Sequence, residues 1–594
     1  MRPLVPLFLV SVLLLAGGSA VAQPAPDKGK WSGRASLTVG YGWSMPDEDD
    51  GLVDTLKRFR QTAEVVVRYQ RNTFSISTRL SQLQDRNHTD GTKIVFSGKD
   101  ELEELTRLDM ITRHSKPDQK RYEARTDARW TPSDRSSISG YIGYVDGHNT
   151  GENTVGQFKV VADQLAFSLE TVDVRQRTAL SGLRGNLLVP GHKVLLGGFD
   201  WSREWNWRHS QWDGIDTNLA DLYRAYRLTP FFIRDRSTAF LTYRDSTMFG
   251  VPRLRFEAGN RLTVNRDNER YGGENLGRDG NWKDSLRIKE HFDFIAAQLE
   301  PYARVDWSRE NLSVYVETGL QLYGTRLDND TLHQALTVRP PVVVGTLGGR
   351  WHPGTQHTIT WSGSWNVQRP TYQNICWYQR QGRYDNQLYQ GNPDLDPTRT
   401  LNAQIGYGFV YKQFYADFTS TYSRRDDEVV QTFWHETVDD RKYTIFCWVN
   451  AARTRTFVER LGIGWRGTML TTNISFLYHD LYQRKDIGDA DKENRYWEIA
   501  GELQLRLPRQ WTLSVNGNYH TTIETLYQIV DPYFRLDARV EKAFGKSWMV
   551  FLEGRDLLDR PIGNGILSDI EKQNWFEAVR NNRRLVQMGV AYQF

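Results

Sequence analysis

The side chains best able to do chemistry are spread through this sequence without a catalytic grouping. Its 12 histidines are scattered. None forms the H-E-x-x-H pair that puts two zinc ligands on one helix face, and no G-x-S-x-G elbow presents a serine nucleophile. A phospholipase or protease site needs Ser, His and a third polar partner brought together in space. No spacing here suggests one, so the reading is a non-enzyme with no resident cofactor and no metal site. The densest acidic run, Asp47-Glu48-Asp49-Asp50-Gly51, offers the hard oxygen ligands calcium prefers. It lacks the EF-hand spacing and reads as a solvated loop.

Two cysteines and a group of aromatics complete the candidates. Cys376 and Cys447 are the only thiols. In an exported chain they can pair, and a bridge closing roughly 70 residues stabilises by constraining the unfolded chain. Two unpaired thiols are the alternative. Trp201, Trp205, Trp207, Trp212, Trp377 and Tyr378 present flat faces that can stack on sugars or other flat ligands. Of these, Trp207, Trp212, Trp377 and Tyr378 are the ligand-contact candidates. Packing in the interfacial girdle and the loops explains the same residues more simply.

The elements that must position these groups are announced by the C-terminus. Val586, Met588, Val590, Tyr592 and Phe594 share one face of an extended segment; Leu585, Gln587, Gly589, Ala591 and Gln593 share the other. This is a strand with one apolar face and one mostly small or polar face. It suits a transmembrane barrel, with lipid outside and water inside. An edge strand of a soluble β-protein satisfies this segment as well. The terminal Phe594, with Tyr592 two places earlier, resembles the signal that barrel-assembly machinery reads.

Composition narrows the choice. Aromatics make up 12% of 594 residues, with 20 Trp and 28 Tyr, enough for two interfacial girdles. Mean hydropathy of −0.61 is too polar for helical spans. The one long apolar run, Leu4 to Leu15, follows Arg2 and leads to Ala20-Val21-Ala22. It reads as a secretory signal peptide over residues 1–22, with no lipoprotein cysteine after it. A short periplasmic tether over 23–30 and a barrel over 31–594 follow. The net charge of +4 gives no reason to invoke nucleic acid.

From residue 31 onward two kinds of connection alternate. Tight turns are expected at Arg71-Asn72, 131–134, 189–191, Arg234-Asp235-Arg236, 308–310, 352–354, Lys412-Gln413, Arg466-Gly467, Pro508-Arg509 and 544–546. Long polar loops are expected at about 44–56, 85–118, 148–171, 206–219, 250–292, 326–338, 371–399, 425–453, 485–492, 524–528 and 559–582. Two of these, 250–292 and 425–453, contain strand-like pieces. Ten turns and eleven loops join about 22 strands. The expected fold is therefore all-β: a transmembrane antiparallel β-barrel of about 22 strands, with short periplasmic turns and long extracellular loops, in the outer membrane of a Gram-negative bacterium. Intervening runs alternate accordingly, as where Ser75, Ser77 and Arg79 oppose Phe74, Ile76, Thr78 and Leu80.

Arg369-Pro370-Thr371-Tyr372, a loop, and then Gly391-Asn392-Pro393-Asp394-Leu395-Asp396-Pro397 leading into a strand resemble TonB-dependent receptor barrels, and more narrowly the Bacteroidota-type outer membrane barrels. Arg555-Asp556-Leu557-Leu558-Asp559-Arg560-Pro561 is similar to the ending of that family's penultimate strand. The resemblance covers the barrel and implies receptor-like nutrient transport. It does not extend to a plug domain, because only residues 23–30 precede the first strand. Three arrangements follow. A partner, such as a separate plug or a surface lipoprotein, gates the pore; or a long loop, 250–292 foremost, folds inward; or the barrel is a non-transporting scaffold or surface binder. Outer-membrane lipid and barrel-assembly machinery are the other expected partners, and the cargo is an unknown small-molecule or oligomeric nutrient.

Overall fold

The computed structural model describes residues 30–43, 57–98, 105–159, 164–191, 193–216, 223–248, 251, 253–276, 281–284, 290–329, 337–375, 379–381, 387–438, 441–485, 490–524, 528–558, 562–568, 573–579 and 585–593. Within them, 22 antiparallel strands close on themselves. The first seven are β1 (Lys30–Trp43), β2 (Lys57–Arg71), β3 (Phe74–Gly98), β4 (Asp118–Ser133), β5 (Ser136–Lys159), β6 (Gln164–Val189) and β7 (Lys193–Asp216). Next come β8 (Phe231–Asp245), β9 (Leu254–Tyr271), β10 (Glu290–Arg309), β11 (Leu312–Asn329), β12 (Thr337–Trp351) and β13 (His357–Gln368). The remainder are β14 (Thr398–Tyr411), β15 (Phe414–Val438), β16 (Arg441–Arg466), β17 (Leu470–Lys485), β18 (Ala490–Leu507), β19 (Trp511–His520), β20 (Tyr533–Phe544), β21 (Trp548–Arg555) and β22 (Leu585–Gln593).

Closure is made by the C-terminal strand. β22 pairs with β21 on one side and β1 on the other, so the sheet closes and its first and last strands leave no free edge to lipid. Its faces divide as the sequence implies: Met588 is 63% exposed on the outside, whereas Leu585, Gln587 and Ala591 are buried. Tyr592 lies 4.6 Å from Trp548. The placement expected for Phe594 falls outside the described residues, as do residues 1–29 and Asp47 to Gly51.

Alternation persists around the wall. Trp31, Trp130, Trp307, Trp351, Trp465 and Trp511 are exposed on the outer face. Trp31 pairs with Tyr69 beside the turn after β2, each of the others lies within a few residues of a short turn, and together they form the periplasmic aromatic girdle. Above it runs an aliphatic belt with Ile142, Leu183, Leu241, Val343, Ile405 and Ile474. The inner face is polar and laced with cross-strand pairs such as Arg244–Glu257 and Arg539–Glu553, at 2.7 and 3.1 Å.

The strand number agrees with the sequence reading, but one stretch is laid out differently. Arg234-Asp235-Arg236 is not a turn. It lies within β8, where Arg234 reaches Asp267 at 2.6 Å on the inside and Arg203 reaches Asp235 at 2.6 Å on the outside. Charges that read as a loop are neutralised across the ladder. The periplasmic turn falls instead between Asp245 and Leu254, where the Thr247 amide donates to Asp245 Oδ1 and Arg253 adopts φ 75°. Residues 254–271 are consequently a barrel strand, paired along its length with β8 and β10. Within the segment 250–292, residues 254–271 therefore belong to the wall and are not free to fold inward.

Three expected loops also begin later than anticipated. β3, the β5–β6 hairpin and the β15–β16 hairpin run on as paired strands far beyond the membrane-facing belt. A further strand, Leu105–Ser115, continues β4 past Lys116-Pro117 and pairs with both β3 and β5. Proline has no N–H to give the ladder, so the break falls there.

Candidate functional site

Two regions of the lumen wall combine recognisable chemistry with a defined shape: the outer mouth, where a loop folds inward, and a groove near the periplasmic end.

The outer site begins with an apolar patch inside a polar wall. Phe294 on β10 lies directly across from Leu327 on β11, and both face the lumen. With Phe292 and Ala296 they form a buried cluster, against which Tyr323 and Ile375 pack. Ile375 ends a single helical turn, Tyr372–Ile375, in the loop between β13 and β14. That turn is held by the residue before it, since Thr371 Oγ1 donates to Asn374 Oδ1 at 2.6 Å and the Ile375 amide donates to the Thr371 carbonyl. The loop thus carries an apolar side chain onto the inner wall.

Arg369 leads into this loop. Its guanidinium sits 4.9 Å from the centre of the Tyr323 ring, while its Nε and Nη2 are buried with no hydrogen-bond acceptor among the described residues. Burial pulls this guanidinium below its ordinary pKa, with Tyr323 opposing and Arg339 adding to the shift. Arg339 itself donates to the carbonyl of Pro393.

The far side of the loop is tied to the β15–β16 hairpin. β17 pairs with β16 only as far as Ala452, leaving the upper edge of β16 open. The strand Gln387–Gln390 fills that edge in parallel, placing Leu388 beside Ile445 and Gln390 beside Cys447. Leu388 and Ile445 are buried together, and Tyr389 stacks on Phe446 at 5.1 Å. Then comes the Gly391–Pro397 motif. Asn392 Nδ2 donates to the Trp448 carbonyl and Asn392 Oδ1 accepts the Asp394 amide. Leu395 is buried, and Asp396 is gripped by Asn450. The motif read as a family mark is a clasp for this loop.

The second family-like stretch is also structural. Asp556 is 1% exposed. It accepts the Tyr533 hydroxyl at 2.6 Å, and its amide donates to Asp537 at 2.7 Å.

The periplasmic groove is built by small residues alternating with cations on β1 to β6. Paired positions run Ser32, Arg68, Ser77, Asp127, Tyr141 around the wall, with Gln70, Ser75, Arg129 and Ser139 in the row below. Serines leave room, and the groove, open to the lumen, has a volume of about 620 Å³. Two of its cations are spoken for: Arg125 binds Asp127 at 2.9 Å and Arg184 binds Asp200 at 3.0 Å. Asp200 also accepts the Tyr141 hydroxyl at 2.8 Å. This approach requires Gly182, because a Cβ there would stand 2.4 Å from both Asp200 and Tyr141. Lys30, Arg68 and Arg129 also line the groove, and none has an anionic partner among the described residues.

The residues singled out from sequence behave differently. Trp207 is on the outward face, 5.3 Å from Phe231 in a stacked arrangement, with Arg177 over its ring. Trp212 belongs to β7, but its side chain is outside those described, as are Cys376, Trp377 and Tyr378. Cys447 has a free thiol that donates to the Trp448 carbonyl at 3.6 Å. The outer site contains Arg369 and the Gly391–Pro397 motif of the sequence reading, whereas the periplasmic groove contains none of its candidate site residues. The groove's signal lies in strands far apart in the chain, in the Ser/Arg face of 74–80 and the Arg/Asp face of 122–130.

Comparison with known proteins agrees with this architecture. Residues 346–592 match the model of the outer membrane protein beta-barrel family. The copper transporter OprC is similar in structure with a TM-score of 0.60 at 11% identity, over 96% of this chain and 82% of that one. The siderophore receptor PirA from Pseudomonas aeruginosa gives 0.55 at 11% identity, over 96% and 82%. The FrpB iron transporter from Neisseria meningitidis (F3-3 variant) gives 0.54 at 10%, over 95% and 81%. At such identities the likeness is one of fold. The search of curated proteins returns no match.

Proposed function

We propose, for a chain that is an outer-membrane β-barrel with the fold of TonB-dependent receptor barrels, that it passes a nutrient across the outer membrane through its lumen and that the 369–397 loop gates the outer mouth. The observation that carries this reading is the seating of Ile375 against the inward Phe292–Leu327 cluster. A wide barrel with an unobstructed lumen would leak, and a loop docked on the inner wall is a means of closing it. The similar structures named above are a receptor and transporters, which favours transport over catalysis. Export by the 1–22 signal peptide and insertion by barrel-assembly machinery, with Tyr592 and Phe594 as the recognition element, belong to the same proposal. So does a partner, a separate plug or a surface lipoprotein, that adds to the gate.

Planar-bilayer conductance tests it. The purified chain is compared with a variant in which residues 372–390 are replaced by a short Gly-Ser linker. Current that is absent or small in the parent and large and steady in the variant supports the gated conduit. Silence in both, with the barrel shown folded by heat-modifiable migration, sinks the transport reading and leaves a surface scaffold.

A further inference from the structure

The periplasmic groove on β1 to β6 has a chemistry that the gate does not use. Arg68 and Arg129 approach one another around the wall through Ser75 and Ser77, and Lys30 stands at the lower rim on β1. All three are exposed to the groove rather than folded into the ion-pair ladder that occupies most of the inner wall. The neighbouring Arg125 and Arg184 are neutralised by Asp127 and Asp200, so the surplus charge is local and positive. Ser32, Ser75, Ser77 and Ser139 add hydroxyl donors among the cations. A space of about 620 Å³ falls within the range of small-molecule sites. Guanidinium groups are suited to paired hydrogen bonds with phosphate or carboxylate oxygens, and a wall of this kind concentrates anions near it.

We propose that this groove binds a small solute carrying two or more negative charges, as phosphate or carboxylate groups, at the periplasmic end of the lumen. The inference rests on the lumen being the route of passage, and it names the class of solute that route favours. Lys30, Arg68 and Arg129 supply the charge, and the serines supply donors that turn with the ligand.

Isothermal titration of pyrophosphate into the detergent-purified full chain tests this without requiring any current. Binding is expected at low salt and weakens as salt is raised. The double variant Arg68→Gln/Arg129→Gln is expected to lose at least tenfold in affinity. Arg350→Gln, which removes a lumen cation on β12, serves as the comparison and is expected to keep the parent affinity. Heat-modifiable migration shows that each variant is folded. No pyrophosphate binding by the folded parent overturns the proposal, and so does an equal loss in the Arg350 variant, which would mean a diffuse attraction to the whole lumen. Citrate in place of pyrophosphate tells carboxylate from phosphate preference. Binding by a barrel that never conducts would remove the passage reading and leave the anion site standing; conduction without binding would do the reverse.

Discussion

Asn450 holds Asp396 at two points. The Asp396 amide donates to Asn450 Oδ1 at 2.7 Å, and Asn450 Nδ2 donates back to the Asp396 carbonyl at 2.9 Å. A carboxamide here does what a neighbouring strand does in a sheet: it offers one donor and one acceptor in line with a backbone. The same Nδ2 also donates to the Asp427 carbonyl at 2.8 Å, so one side chain joins the 369–397 loop to both strands of the β15–β16 hairpin.

Asn450→Ala should therefore loosen the loop without unfolding the barrel. Intramolecular hydrogen bonds contribute on the order of 1 kcal/mol each, so losing this set costs the docked state about 1–3 kcal/mol. Hydrogen exchange should speed up in 387–397 and stay unchanged in the lower half of β15 and β16. Unaltered exchange in 387–397 would show that the clasp is not what holds the loop.

Phe294→Ala tests the other anchor. The ring is 4% exposed and pairs with Leu327 beneath Ile375. Truncating a buried phenylalanine costs about 3–5 kcal/mol where the site cannot collapse. Because closure of the barrel depends on its hydrogen-bonded wall rather than on this cluster, the loss should fall on the loop. Larger or more frequent bilayer currents are the expected readout, with the heat-modifiable shift retained. A variant that migrates as unfolded would place the cluster in the barrel's own stability instead.

Asp556 should tolerate amide but not methyl. Its φ of 47° lies in the left-handed region, which Asn enters readily. Asn can still accept the Tyr533 hydroxyl. Asp556→Asn should fold and migrate like the parent, whereas Asp556→Ala strands a buried hydroxyl and should lower the unfolding temperature. The expected cost is about 1–3 kcal/mol. Equal behaviour of the two variants would mean that the buried Tyr533 contact carries no weight.

Much of the barrel is legible in sequence because two-residue alternation is enforced by the environment on each side. Met588 and Trp130 meet lipid, and Gln587 and Arg129 meet the interior. The strand number survives at β8 and β9, since one turn and one loop are displaced together. Local charge at Arg234-Asp235-Arg236 reads as a turn. Arg234 and Asp235 are acceptable in a strand only because Asp267 and Arg203 stand beside them, and that adjacency is set by register. The candidate sites are less legible for the same reason. Arg68 and Arg129 are 61 residues apart in the chain and come to the same part of the wall only when β3 is laid between β2 and β4. Ile375 looks like any loop residue until β10 and β11 present a greasy patch to the lumen.

Cys447 offers a pH-dependent test. It lies well above the membrane-facing part of β16, and burial pushes its thiol pKa up, while its own contact with the Trp448 carbonyl pulls slightly the other way. A raised pKa keeps the reactive thiolate scarce at neutral pH. In a Cys376→Ser variant, maleimide should label Cys447 slowly at pH 7 and faster as pH climbs past the ordinary thiol range. In the parent, isolated from membranes without reductant, peptide mapping should recover Cys447 as the free thiol of the structure. A Cys376–Cys447 cross-linked peptide in that material would overturn this and establish the bridge.

The closing seam makes the sharpest demand on a single residue. Gly589 lies on β22 facing the interior, and a Cβ there would stand 2.4 Å from the Phe551 ring and 2.8 Å from Thr38 Oγ1. The ring has little freedom to yield, because Phe551 is buried and the Arg539 guanidinium lies 3.9 Å from its centre. Gly589→Val must therefore push β22 away from β21 or β1, the two strands that complete the barrel. Overpacking typically costs about 1–3 kcal/mol, and here it falls on the pairing that forms last if the C-terminal strand joins β1 to close the wall. The expected result is a lower yield of the heat-modifiable form and more unassembled chain, partly restored by Phe551→Leu in the same molecule. If Gly589→Val assembles at the parent yield, the seam accommodates a branched side chain and the close approach of Phe551 is not required for closure.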